Sequence, residues 1–138
     1  MNYSLSIQEN FDLTNYNTMG LAAKARYFVS VKSVNQLKEI FNNPDFKDLS
    51  KFIMGGGSNV LFIRDFSGLL IHTALKGINI AEENEDEILL SVGAGENWHD
   101  LVLYCTDNGW GGIENLALIP GSVGAAPIQN IGAYGVEL

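Results

Sequence analysis

Between residues 115 and 138 the chain reads Asn-Leu-Ala-Leu-Ile-Pro-Gly-Ser-Val-Gly-Ala-Ala-Pro-Ile-Gln-Asn-Ile-Gly-Ala-Tyr-Gly-Val-Glu-Leu, apolar residues broken at short intervals by glycine and proline. Pro120, Gly121, Gly124, Gly132 and Gly135 permit backbone conformations and close approaches that a side chain would block. A loop that only packs rarely needs so many. The segment reads as a cradle in which a large flat or phosphorylated ligand lies against the main chain.

With 138 residues, 46% of them hydrophobic, the chain has enough apolar material for one ordinary domain or two very small ones. No stretch of eighteen apolar residues occurs, and residues 1–10 lack the basic flank and apolar core of a secretory signal, so no membrane partner is expected and a cytoplasmic location is the default. All eight Lys and Arg fall between Lys24 and Lys76, whereas residues 77–138 hold ten acids and no base. Nucleic acid is therefore not an expected partner. Five of the acids crowd residues 82–87 between two strand-like runs, which predicts a solvated hairpin loop; the pattern of a calcium loop is absent. The one cysteine, Cys105, shares helical spacing with Trp98, Leu101 and Val102, which places its thiol on a buried face rather than in chemistry.

Residues 25–31 read as a strand, followed by Ser33 as a helix cap with Gln36 completing a capping box, and by an apolar helix face of Val34, Leu37, Ile40 and Phe41. Residues 52–54 and 60–63 are expected as short strands flanking a triple glycine, residues 65–68 as a turn and 69–72 as a further strand. Residues 1–72 thus form a small complete α/β unit. A linker over 73–77 leads to strands near 78–81 and 88–92, a helix beginning at Trp98, and the cradle. So few strands bury too little surface to stand alone, and more chain is expected to complete this sheet.

The turn Gly55, Gly56, Gly57, Ser58, Asn59 matches no standard nucleotide motif: there is no Gly-Lys-Ser/Thr, and position 60, where a dinucleotide fingerprint needs glycine, is Val. By itself a triple glycine reads first as a tight turn. Consecutive N–H groups in such a turn nevertheless form a nest for an anion, to which Ser58 and Asn59 add side-chain donors. His72 and His99 read as ordinary strand or helix residues, since acid/base work needs a placed partner, and Glu96 and Glu114 read alike. Asn115 and Gln129 suit polar groups of backbone or ligand; Trp98, Trp110 and Tyr134 read as packing residues able to stack on a ring.

Asn-Thr-Met-Gly at 17–20, Met-Gly-Gly-Gly-Ser-Asn-Val-Leu-Phe at 54–62, Gly-Ala-Gly-Glu-Asn-Trp-His at 93–99 and the cradle, in that order, closely resemble the UDP-N-acetylenolpyruvoylglucosamine reductase family. The resemblance spans nearly the whole chain, but family members are about twice as long, so the chain looks like their N-terminal half. It implies an α+β FAD-binding fold of the vanillyl-alcohol-oxidase/PCMH type, with a first subdomain complete over 1–72, a second truncated over 73–138, and the substrate domain beyond. It further implies that Gly55, Gly56, Gly57, Ser58, Asn59, Val60 and Leu61 hold the FAD pyrophosphate. Ile119, Pro120, Gly121, Gly124, Ala125, Ile128, Ile131 and Gly132 are then expected along the flavin and its ribityl and phosphate groups. Several relatives carry Ser where this chain has Ala125, so contact there is expected to rest on backbone N–H groups. The implied reaction takes hydride from NADPH through FAD to UDP-N-acetylglucosamine enolpyruvate, giving UDP-N-acetylmuramate. The family's catalytic arginine, serine and glutamate match positions beyond Leu138, so no catalytic residue is expected here and the chain alone is expected to be inactive and to self-associate through unpaired strand edges. A non-catalytic flavin- or nucleotide-binding module, or another FAD oxidoreductase of the same fold, are the alternatives.

Overall fold

The structure is a computed structural model that describes residues 5–138. It divides into two compact units, one ending at Leu75 and the other spanning Lys76–Leu138. The division falls beyond residue 72 because the last strand of the first unit continues through Thr73 and Leu75 still packs in that unit's core.

The first unit is a four-stranded sheet in the order β1-β2-β4-β3, built from β1 (Gln8–Asp12), β2 (Lys24–Val31), β3 (Lys51–Met54) and β4 (Phe66–Thr73). β1 runs antiparallel to β2, while β2 and β3 both run parallel to β4. The central strand β4 explains its own sequence. Consecutive residues of a strand point to opposite faces; Leu69 and Ile71 enter one core with Val29, Val31 and Ile40, while Leu70 enters the other with Leu13, Phe28 and Met54. A strand covered on both faces needs an unbroken apolar run. β2 switches faces at a register shift between Ala25 and Tyr27, so Ala25 and Phe28, three residues apart, serve the same core.

Helix α1 (Val34–Asn42) covers one face. Ser33 Oγ accepts from Gln36 N–H at 3.3 Å, and Gln36 Oε1 reaches back to Lys32 N–H at 2.7 Å, which closes the expected capping box one residue early. Its buried face differs from the expected one: Ile40 and Gln36 are buried and Leu37 packs, but Val34 and Phe41 are more than half exposed, and Gln36, held by Lys32 N–H, takes a buried position instead. Two further expectations fail. Residues 60–63 form no strand; Val60 and Phe62 instead fold down onto the core beside Phe52. Residues 66–68, expected as a turn, open β4.

The second unit pairs β5 (Ile78–Glu83) with β6 (Ile88–Val92) as an antiparallel hairpin, followed by α2 (Trp98–Asp107) and the tiny hairpin β7 (Gly132–Ala133) and β8 (Val136–Glu137). The acidic loop is the hairpin turn, tied by Asn84 Oδ1 accepting from the N–H groups of Asp86 and Glu87. Among the described residues no group of three or more His, Cys, Asp or Glu is placed to hold a metal ion. Trp98, Leu101, Val102 and Cys105 bury one face of α2 against Leu116, Ala126 and Ile131, and burial pushes the Cys105 thiol above its ordinary pKa. Between α2 and β6 a cleft of about 450 Å³ remains open, lined by Leu90, Val92, Leu101, Cys105 and Ile113 among others.

Candidate functional site

Strand β3 delivers the glycine turn directly from its end at Met54. The turn is seated rather than free. Gly57 is buried with φ +70°, and a Cβ there would run into the carbonyl oxygen of Tyr16, so only glycine fits both the angle and the space. Thr18 N–H donates to Gly57 O at 3.3 Å from the other side.

The seat is built by Asn17, a buried side chain whose Nδ2 donates to Leu13 O (2.9 Å) and Leu21 O (3.0 Å) while its Oδ1 accepts from Leu21 N–H (2.9 Å). The Asn-Thr-Met-Gly and Gly-Gly-Gly-Ser-Asn motifs are therefore two halves of one local structure. Within the hydrogen-bond network of the described residues, the N–H groups of Gly56, Ser58 and Asn59 donate to no protein acceptor. Val60 is partly buried under the turn and Leu61 points to solvent.

The cradle is held by the strand-to-helix connection before α2. Trp98 N–H donates to Gly121 O (3.0 Å), Val123 N–H to Glu96 O (2.9 Å) and Gly124 N–H to Ala94 O (2.9 Å), with an antiparallel bridge between Asn97 and Ser122. Trp98 Nε1 adds a bond to Leu116 O at 2.8 Å, and His99 Nδ1 accepts from Leu118 N–H at 3.3 Å. Asn97 caps α2 through Asp100 N–H, which fixes the helix end that carries Trp98 and His99. Glu96 is anchored in turn: its carboxylate accepts from Gly77 N–H (2.6 Å) and Lys76 Nζ (3.1 Å), and these hold its pKa below the usual glutamate range.

Along the cradle the expected residues fall into distinct environments. Ile119 is half-buried and Pro120 exposed; Gln129 Nε2 donates to Pro120 O at 3.3 Å beside Gly121, whose φ is +134°. Gly124 lies against Ala94. Ala125 N–H, expected to face a ligand, already donates to Ser122 O at 3.0 Å inside the one-turn helix Val123–Ala125. Ile131 is in the core and Gly132 in β7, whereas Ile128 is 86% exposed.

Three non-glycine residues here adopt positive φ: Leu118 (+62°), Asn130 (+51°) and Tyr134 (+55°). Left-handed backbone is costly for a bulky side chain and concentrates at functional sites. Of the aromatic candidates, Trp98 is buried and hydrogen-bonded, Trp110 packs edge-on to Tyr104, and Tyr134 is 90% exposed. His72 Nδ1 contacts Ser30 Oγ at 3.0 Å on the sheet. Glu114 accepts from Gly112 N–H and Asn115 is exposed. The sequence marked residues 93–99 only as a motif of the family resemblance; that residues 94–99 brace the cradle became visible with the fold.

These features fit FAD. The glycine turn offers undonated N–H groups to an anion without any cation, as a pyrophosphate permits, and the cradle exposes apolar side chains on a strained, glycine-rich backbone able to meet a flat ring. A family model described as "FAD binding domain" matches residues 25–138, and the chain belongs to that family, whose cofactor is FAD. Within it, the chain is similar to proteins named UDP-N-acetylenolpyruvoylglucosamine reductase. That of Amoebophilus asiaticus is 57% identical over 96% of this chain, and that of Flavobacterium johnsoniae 52% over 97%. The chain spans 39% of the length of both. A crystal structure of the reductase from Thermus caldophilus superposes with a TM-score of 0.69 at 25% identity, covering 96% of this chain and 44% of that one.

Proposed function

We propose that this chain is the FAD-holding part of a reductase that converts UDP-N-acetylglucosamine enolpyruvate to UDP-N-acetylmuramate with NADPH as hydride donor. The observation that carries the reading is the glycine turn, pinned by Gly57 against Tyr16 and Asn17 while the N–H groups of Gly56, Ser58 and Asn59 meet no acceptor among the described residues. Those groups, with the Ser58 hydroxyl and the Asn59 amide, hold the pyrophosphate. Ile119, Pro120 and Ile128 press on the flavin and exclude water from it, and the backbone at Gly121, Gly124 and Gly132 lets the ring and its chain approach. Ala125, with its N–H committed to Ser122, contributes its methyl group and no hydrogen bond.

Bound FAD supplies a centre that accepts and passes on a hydride. The residues of this chain position that centre. Hydride delivery to an enolpyruvyl double bond also needs a cation beside the developing negative charge and an acid to protonate the neighbouring carbon, and no Lys or Arg follows Lys76 here. The reading therefore assigns cofactor binding to this chain and the proton chemistry to parts of the relatives that it does not span. The visible spectrum of the purified chain after incubation with FAD and desalting tests it: a retained flavin band is expected, with no NADPH-dependent reduction of the enolpyruvyl substrate. A colourless protein overturns the first part, and measurable turnover the second.

A further inference from the structure

We infer that His99 is a positioning residue for the cradle, acting through the backbone of Leu118. Leu118 has φ +62°, a conformation a leucine adopts only under constraint, yet its side chain is 76% exposed and anchors nothing. What constrains it is the main chain that leads into it. Ala117 N–H is tied to Glu114 O at 3.2 Å, and Leu118 N–H donates to His99 Nδ1 at 3.3 Å. An N–H can only donate, so Nδ1 carries the lone pair and the ring proton sits on Nε2. His99 is itself fixed in the first turn of the Asn97-capped helix α2, one residue after Trp98, whose N–H and indole bind Gly121 O and Leu116 O. The cradle's entry is thus clamped at three points from two adjacent residues, and His99 supplies the middle one, immediately before Ile119, Pro120 and Gly121. Without it Leu118 relaxes toward ordinary negative φ and the Ile119-Pro120-Gly121 turn changes direction.

This rests on the flavin reading above, and the test separates the two. Wild type, His99→Ala and His99→Asn are compared by amide hydrogen exchange at Leu118 in the FAD-free chain and by FAD titration monitored through flavin fluorescence. Asn places its Oδ1 near the position of Nδ1 and restores the acceptor. His99→Ala is expected to speed exchange at Leu118 at least tenfold, leave protection at Val123 and Gly124 unchanged, and weaken FAD binding about tenfold. His99→Asn should return both within about twofold of wild type. Unchanged Leu118 exchange in His99→Ala, or an Asn variant as impaired as Ala, overturns the inference. Altered Leu118 exchange with unaltered FAD affinity overturns the link to the cofactor. Wild type that binds no FAD overturns the flavin reading and this link together, while the exchange data still decide what holds Leu118.

Discussion

Gly124→Ala isolates the closest approach in the cradle. A Cβ at Gly124 would stand 2.6 Å from Ala94 Cβ and 3.0 Å from Ala94 Cα and O, with no positive φ at Gly124 to confuse the effect. Carbon atoms pack at about 3.5–4.0 Å, so the two segments must part by roughly 1 Å. The Gly124 N–H···O Ala94 bond of 2.9 Å lies in the same contact and does not survive that separation. Overpacking strain of about 1–3 kcal/mol and a lost hydrogen bond of about 1 kcal/mol together destabilise the second unit by about 2–4 kcal/mol. Both tryptophans, Trp98 and Trp110, belong to that unit, so intrinsic fluorescence during urea unfolding reports on it directly. Ala94→Gly in the same chain removes the nearest atom and should recover about 1 kcal/mol as a coupling in a double-mutant cycle. A Gly124→Ala cost below about 1 kcal/mol, or strict additivity with Ala94→Gly, would refute the close-approach argument.

Asn17→Ala strips the seat of the glycine turn of its side-chain bonds to Leu13 O, Thr14 O, Leu21 O and Leu21 N–H; Leu13 O keeps Tyr16 N–H at 2.8 Å, whereas Leu21 O and N–H lose the partner that held them. A loss of about 2–4 kcal/mol from the first unit is expected in a thermal melt followed by circular dichroism, at the upper range for buried unpaired groups. Ser122→Ala runs the other way: Ser122 Oγ is buried with no partner among the described residues, so the substitution should leave stability unchanged or raise it by up to about 1 kcal/mol, and a clear loss would show that the hydroxyl is bonded in solution. Glu96 predicts a pH effect. Gly77 N–H and then Lys76 favour its ionised form when folded, so its folded pKa is depressed; the stabilisation is complete above the unfolded value of about 4.3 and disappears as pH falls through the folded one. Glu96→Gln should flatten the acid limb of the second unit's stability curve, and an unchanged limb would count against the anchoring role.

Local pattern carried a large share of the fold. The apolar residues 69–71 of β4, Ser33 as the cap of α1, the spacing of Trp98, Leu101, Val102 and Cys105, and the acidic hairpin turn are each written in neighbouring residues, although β4 opens three residues earlier than the pattern places it and the Gln36 bond falls on Lys32. The glycine turn and the cradle were equally legible as places where backbone must come close to something. What local pattern missed depends on partners distant in sequence. β1 is mostly polar and exists because β2 offers it an edge, with Phe11 stacked on Phe28 at 3.8 Å. Residues 60–63 have strand composition but find no strand to pair with, so Val60 and Phe62 spend their apolar surface on the core instead.

By itself, then, the sequence determined the placing of β2, α1, the β5–β6 hairpin and α2, the two segments where glycine lets the backbone come close to something, and the family its motifs resemble. Only the tertiary structure decided that Asn17 is the seat on which Gly57 closes, that residues 94–99 brace the cradle, and that Ala125 has no N–H to spare. The physical reason is range. Propensity and periodicity act over a few neighbours, whereas a hydrogen bond from Leu118 to His99, or a van der Waals limit between Gly124 and Ala94, is set by chain segments that meet only once the fold has formed.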